Sequence, residues 1–443
     1  MTLLEHLQDA WRRFEAEITG AARDVEQAVM DAVRGGLVDV EEEGAKFVAG
    51  LKTYGEEHPR ETLALLRRLQ PILIAKNFAV VTRFDDVKEV LSRDDVFDVP
   101  YAERMQLITN GENFFLGMAD TPRYTRDKSN TRLLARREDI PSFVQPLVAK
   151  TAHEIVQSAP GSLEIVGKLT QIVPAALVAN YFGLTGPSQQ QLIEWTSALF
   201  WFLFLDLDSD PNVRTKALSA SKALNASLDS AIQARKSAPN AQDDLVSRAL
   251  QLQASGTPGL RDLDIRNDFI GLIIGAIPTT ATATALALDE LLRRPAELAG
   301  AQAAARADDD TLLGKYLFEA MRFNSMTPAI IRTTNRDFLL ARGEIRTRTI
   351  PAGTTVAVAT LSAMFDPLRI EAPEEFRLDR SDRDYFHFGY GLHQCFGYHI
   401  NQVQIPQIVK PLLLRSNLRR APGSAGVLQK AGPFAASLTV LFD

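Results

Sequence analysis

The stretch FHFGYGLHQCFG, residues 386–397, constrains this chain more than any other. It holds Cys395, the only cysteine among 443 residues. A free cysteine is most often a small buried hydrophobe. Gly389, Gly391 and Gly397 argue against that here. They strip side chains from both sides of the sulfur and let something bulky approach the backbone. A thiolate is a soft ligand, and haem iron is one of the centres it serves axially. A helix N-terminus favours the anion, and helical patterning begins directly after Cys395. Zinc is poorly served: the six histidines are scattered and Cys395 has no CxxC partner.

A single cysteine also excludes an intramolecular disulfide and points to a reducing cytoplasm. The net charge of -6, from 49 basic and 55 acidic residues, gives no bulk attraction to nucleic acid or anionic lipid. The opening MTLLEHLQDAWRRFEAE is charged throughout, unlike a signal peptide. The longest unbroken apolar run is ALFWFLFL (198–205), far short of the ~20 residues of a spanning helix, so no transmembrane anchor is expected.

Leu4, Leu7, Trp11, Phe14, Ile18, Ala21 and Val25 form an amphipathic stripe, so residues 1–70 read as a helical segment packed on the body. Helical patterning dominates 121–235, and a long apolar helix follows over about 263–292. Further helices are expected at 312–323 and about 398–414, with short strands at 338–341 and 348–359 and a terminal strand pair. The fold class is mainly α with a minor β region.

The spacing Phe388-x-x-Gly391-x-His393-x-Cys395-x-Gly397 resembles the haem-binding loop of the cytochrome P450 superfamily. The resemblance extends over roughly residues 75–443. It implies a P450 fold in which residues 71–443 form one catalytic domain, with 1–70 as an N-terminal extension. It also implies haem b (iron protoporphyrin IX) between a long distal helix and the cysteine loop. Cys395 is then the proximal ligand, His393 contacts a propionate, and Phe388 packs near the sulfur. Glu319 and Arg322, at i and i+3, match the family's ExxR pair, and Arg380 matches the third member of that network. Arg332 sits where the family places another propionate contact. In DTPRYTRDK (120–128), Tyr124 and Lys128 stand where the family often has His and Arg, and Arg126 is a further candidate.

The distal helix departs from the family pattern. Its stretch is Gly275-Ala276-Ile277-Pro278-Thr279-Thr280, with Thr279 kept and Pro278 in place of an acid. In the family, that acid and alcohol help pass protons for cleavage of the O–O bond of dioxygen. Proline passes none, and it clashes with the carbonyl of Ile274, so the helix should bend. Protons then arrive through water, Thr279 and Thr280, or the oxidant is a peroxide. Peroxygenases of the superfamily carry an arginine in this helix to hold a substrate carboxylate, and no arginine lies between Gly271 and Leu292.

Ala276, Ile277, Thr280, Ala329 and Ile330 are expected on the pocket wall, which suits an apolar small molecule such as a fatty acid, terpenoid or aromatic. No GxGxxG follows a strand, so a monooxygenase of this kind would draw electrons from a separate ferredoxin or flavodoxin. Arg132, Arg136 and Arg137 are candidates for docking an acidic carrier. The readings are a monooxygenase, a peroxygenase or hydroperoxide isomerase, and, outside catalysis, a haem carrier or sensor.

Overall fold

The computed structural model describes residues 59–206, 209–238 and 242–443. The helical segment expected over 1–70 lies outside them apart from its end, where Pro59–Leu69 is a helix. The chain divides into two units. One comprises residues up to Asp98, Thr327–Glu375 and Asp382–Leu392; the other comprises Val99–Met326, Phe376–Ser381 and His393–Asp443. The stretch 71–443, expected as one domain, contributes to both.

The first unit is built on a five-stranded sheet. Its strands, in spatial order, are Ile72–Ala75, Phe78–Val81, Thr355–Val358, Ile330–Thr334 and Phe97–Asp98. Only the pairing of Phe78–Val81 with Thr355–Val358 is parallel; the others are antiparallel. Val80 stands opposite Ala357, and Ala357 opposite Ile331. Val80, Ala357 and Ala359 pack on Leu66 of the Pro59–Leu69 helix, with Leu63, Ala329 and Ile331 against them. The strands expected at 338–341 and 348–359 appear as a hairpin, Phe338–Leu340 with Arg348–Ile350, followed by Thr355–Val358. The bend between the last two uses Gly353 at a φ of +77°, a left-handed conformation that suits glycine.

The second unit is helical. Pro122–Leu134 starts cleanly because the Thr121 side chain accepts from the Tyr124 N–H and Pro122 occupies the first turn, where its missing N–H costs nothing. Asp310–Phe323 is capped by Asp309, which accepts from the Leu312 N–H. The helix expected over 263–292 is two helices, Asp262–Ala276 and Pro278–Leu291, interrupted at Ile277. Pro278 has no N–H to close a bond to the Ile274 carbonyl, which accounts for the break. The span Asp262–Leu291 is apolar and long enough to cross a membrane, but 83% of its most apolar window is buried inside the protein, as in a core helix. Tyr398–Leu413 follows the cysteine. Ser162–Glu164, Thr439–Leu441 and Arg419–Arg420 form a small sheet, and Gln429–Ala431 pairs with Phe434–Ser437.

Candidate active site

Within the second unit, Cys395 stands just ahead of the Tyr398–Leu413 helix, and its carbonyl accepts from the Tyr398 N–H at 3.3 Å. The Asn401 N–H donates to the Gly397 carbonyl at 2.9 Å, closing the first helical turn. A side chain at Gly397 would place its Cβ 3.1 Å from Asn401 Nδ2 and 3.7 Å from the Cys395 sulfur, so glycine keeps that flank clear. Cys395 is not packed as a core residue: its side chain is exposed. Yet the sulfur is deep enough that burial pushes the thiol above its ordinary value, with the backbone N–H of Gly397 pulling the other way. An accessible sulfur with a glycine on its flank suits a flat group bonded through iron.

A donor cluster belongs to the same unit. Lys128 Nζ lies 2.5 Å from the Tyr124 hydroxyl and 5.0 Å from the ring centroid. The Tyr124 ring meets His393 edge-on, with centroids 5.1 Å apart. Tyr124 and Lys128 are both buried. They stand one helical turn apart, which puts them on one face of Pro122–Leu134. A buried ammonium, a phenol and an imidazole together match the carboxylates of a porphyrin edge. Exposed thiol and donor cluster both fit haem, which, when bound, supplies the activation of oxygen. Arg126 is committed to Asp127 at 2.8 Å.

The break in the distal helix decides which residues are accessible. Gly275, Ala276 and Thr279 are partly exposed between buried neighbours. A Cβ on Gly275 would meet nothing within 4 Å, so open space lies above it. The Thr279 hydroxyl donates to the Gly275 carbonyl across the interruption. Ile277, expected on the wall, is fully buried, and so is Pro278. Thr280 is buried too, and its hydroxyl donates to Asn401 Oδ1 at 2.9 Å. The accessible residues are therefore small, and the accessible alcohol is Thr279.

Glu319 and Arg322 are fully buried and joined by two hydrogen bonds, of 2.7 and 3.0 Å. Arg380 Nε and the Arg377 backbone N–H each reach Glu319 Oε1 at 3.0 Å. Burial opposes ionisation of Glu319, but the Arg322 hydrogen bonds and charge outweigh it, aided by Arg377 and Arg380. They hold the carboxyl below its ordinary range.

In the first unit, Arg332 is buried on the Ile330–Thr334 strand, opposite Val356, and its Nη1 donates to the Ile331 carbonyl at 2.9 Å. Ala329 and Ile330 are half-buried, as is Phe388. Gly391 has a φ of +75°, and a Cβ there would stand 2.2 Å from the Leu91 carbonyl oxygen, so no other residue fits without moving the backbone.

Two residues were invisible to the sequence reading. Asn401 binds Thr280, yet nothing in its spacing marks it beyond lying one turn after Gly397. Phe115 packs on Phe396 and Tyr124, with centroids 6.1 and 6.4 Å apart. On the thiolate side, Arg132, Arg136 and Arg137 are all exposed. Arg137 Nη2 sits 3.0 Å from His399 Nε2, in the first turn of the cysteine helix. Burial and then Arg137 push His399 below its ordinary value.

Known proteins resemble this chain in sequence and in fold. The chain is 26% identical over 292 residues to the cyclomarin C epoxidase CymV of Salinispora arenicola, covering 65% of this chain and 69% of that one. It is 24% identical over 345 residues to the cytochrome P450 monooxygenase PikC of Streptomyces venezuelae, covering 76% and 77%. It is also 24% identical over 390 residues to a bifunctional dioxygenase–epoxy alcohol synthase of Pyricularia oryzae, covering 79% of this chain but 34% of that longer protein. Among solved structures, P450BioI in complex with a hexadec-9Z-enoic acid-ligated acyl carrier protein superposes with a TM-score of 0.75 at 21% identity, covering 88% of this chain and 99% of that one. Ligand-free cytochrome P450 TbtJ1 gives 0.73 at 23%, covering 88% and 98%. The family model described as Cytochrome P450 matches residues 71–432, so the chain belongs to the cytochrome P450 family and is an enzyme of that type.

Proposed function

We propose that this enzyme is a haem b monooxygenase that inserts one oxygen atom into an apolar small molecule, a fatty acid, terpenoid or aromatic. One atom of dioxygen enters the substrate and the other leaves as water. The two electrons come from a separate ferredoxin or flavodoxin, and the two protons from solvent. The observation that carries this reading is the accessible Gly275–Ala276–Thr279 stripe, which is small, apolar and interrupted by one alcohol. The relatives named an epoxidase and a monooxygenase support it. Cys395 would hold the iron, and Tyr124, Lys128 and His393 the carboxylates of the porphyrin; Arg332, Phe388 and Gly391 keep the roles the family resemblance implies. Because the Thr279 proton is committed to the Gly275 carbonyl, the hydroxyl oxygen is left to accept from a water and orient it. Exposed Arg132, Arg136 and Arg137 present positive charge to an acidic electron carrier.

A second reading is favoured by Pro278. With no acid beside Thr279, an oxygen donor that already carries its electrons, a peroxide or lipid hydroperoxide, removes the need for that proton relay. Similarity to a protein named as an epoxy alcohol synthase points the same way. One assay separates them. The purified enzyme is given a panel of apolar substrates with ferredoxin, reductase and NADPH, and in parallel with hydrogen peroxide or a fatty-acid hydroperoxide alone. Product only with the electron chain supports the monooxygenase. Product only from the peroxide arms sinks it in favour of the second reading.

A further inference from the structure

A cavity of about 250 Å³ opens in the first unit, between the Pro59–Leu69 helix and the segment that follows the Thr355–Val358 strand. Arg67 is part of its wall and is 8% exposed. Its Nη1 donates to the Ser362 carbonyl at 2.8 Å and to the Ser362 hydroxyl at 2.9 Å. Both partners are neutral. Asp366 and Glu374, the carboxylates whose charge reaches Arg67, are already used. Asp366 accepts from Arg83 Nη1 at 2.9 Å and from the Phe84 N–H at 3.0 Å. Glu374 takes Arg60 Nη2 at 2.6 Å. Among the described residues no carboxylate pairs with Arg67, and nothing takes its Nη2 or Nε. Burial pulls the Arg67 pKa below its ordinary value, and Asp366 counters that only in part.

A guanidinium that is nine-tenths buried and bonded only to neutral groups is costly unless an anion joins it. The rest of the wall says what kind of anion. Leu63, Ala64, Leu361 and Phe365 line the cavity, and the Arg60 guanidinium lies over the Phe365 ring at 4.3 Å. Glu61 and Glu374 stand at the lining as well, which disfavours a multiply charged ligand such as a phosphate dianion. We propose that this cavity binds a small amphiphilic carboxylate, its oxygens on Arg67 and its apolar body against Ala64, Leu361 and Phe365. Arg67 offers the planar donor fork that a carboxylate matches.

The test uses the full-length haem-loaded protein with imidazole saturating the iron, so that the reaction site is capped. Octanoate and inorganic phosphate are titrated in separate calorimetric runs. The expected result is one octanoate per chain, weakened at least tenfold by Arg67→Gln, with no phosphate binding. Ala64→Phe fills the cavity from the same helix, one turn before Arg67, and leaves Arg67 in place, so it should abolish octanoate binding with the reduced carbonyl spectrum unchanged. The proposal is overturned if octanoate does not bind, if it binds Arg67→Gln and Ala64→Phe as it binds the parent, or if phosphate binds as tightly as octanoate.

Discussion

The Thr280 hydroxyl donates to Asn401 Oδ1 at 2.9 Å, and that bond ties the helix following Pro278 to the helix following Cys395. It removes Thr280 from the accessible surface and anchors the first turn beyond the sulfur. Thr280→Val keeps the shape and deletes the donor. It should cost about 1 kcal/mol in urea unfolding, the usual worth of a hydrogen bond whose acceptor is left behind. Haem content should be retained and substrate turnover should fall less than in Thr279→Val, which loses the accessible hydroxyl. Equal loss of turnover in both variants would show that Thr280 also serves the reaction directly.

Pro278 occupies the place where a proton-passing acid is usual in the family. Pro278→Glu supplies the acid and restores an N–H to the Ile274 carbonyl. A positioned acid is typically worth a hundredfold or more. Under the monooxygenase reading, product formed per NADPH consumed should therefore rise towards one. Peroxide-driven turnover should not rise. An unchanged ratio with intact haem would show that proton supply is not what Pro278 limits.

Lys128 and Tyr124 are the two buried donors of the three-donor cluster, and they differ in charge. A hydrogen bond to a charged group is worth about 1.5–3 kcal/mol, against about 1 kcal/mol for a neutral one. Lys128→Met should therefore speed haem loss to apomyoglobin by roughly tenfold or more, and Tyr124→Phe by roughly fivefold. The reverse order would mean that Lys128 serves to position Tyr124 rather than to hold the propionate.

The sequence exposed the cysteine side of this site far better than the distal side, for a physical reason. The loop positions are set by backbone demands. Gly391 holds a positive φ against the Leu91 carbonyl, and Gly397 keeps a flank of the sulfur clear. Such demands fix residue identity and leave a readable pattern. The Glu319–Arg322 pair was legible for a similar reason, since i, i+3 spacing places both on one helix face. The distal helix is apolar almost all round, so periodicity does not tell which side meets open space. Ile277 was expected on the wall from the family resemblance of this helix; the break at Pro278 leaves Gly275, Ala276 and Thr279 accessible and Ile277 buried. Asn401 and the Arg377 N–H were illegible because each acts through a long-range contact that local spacing does not encode.

Glu319 sets a pH dependence whose sign follows from its partners. Its folded pKa lies below the ordinary value of 4.5, because Arg322, the Arg377 N–H and Arg380 together overcome the burial that opposes ionisation. A carboxyl depressed on folding stabilises fully above its unfolded pKa and loses that contribution as pH falls through the folded value. Thermal stability should therefore be flat above about pH 5.5 with respect to this group, and should decline on acidification below the ordinary glutamate value. Glu319→Gln keeps the shape but leaves Arg322 buried and fully inside the protein without its counter-charge. Breaking a buried pair from one side costs about 3–5 kcal/mol, so this variant should be strongly destabilised at neutral pH. Its stability should also be less dependent on pH below 4.5 than that of the parent. Chemical denaturation at pH 7, 5 and 4 measures both effects. A variant that is destabilised at pH 7 yet keeps the parent's acid slope would place that slope on another carboxylate, with Asp139, bonded to Arg248 at 2.5 Å, the next to test.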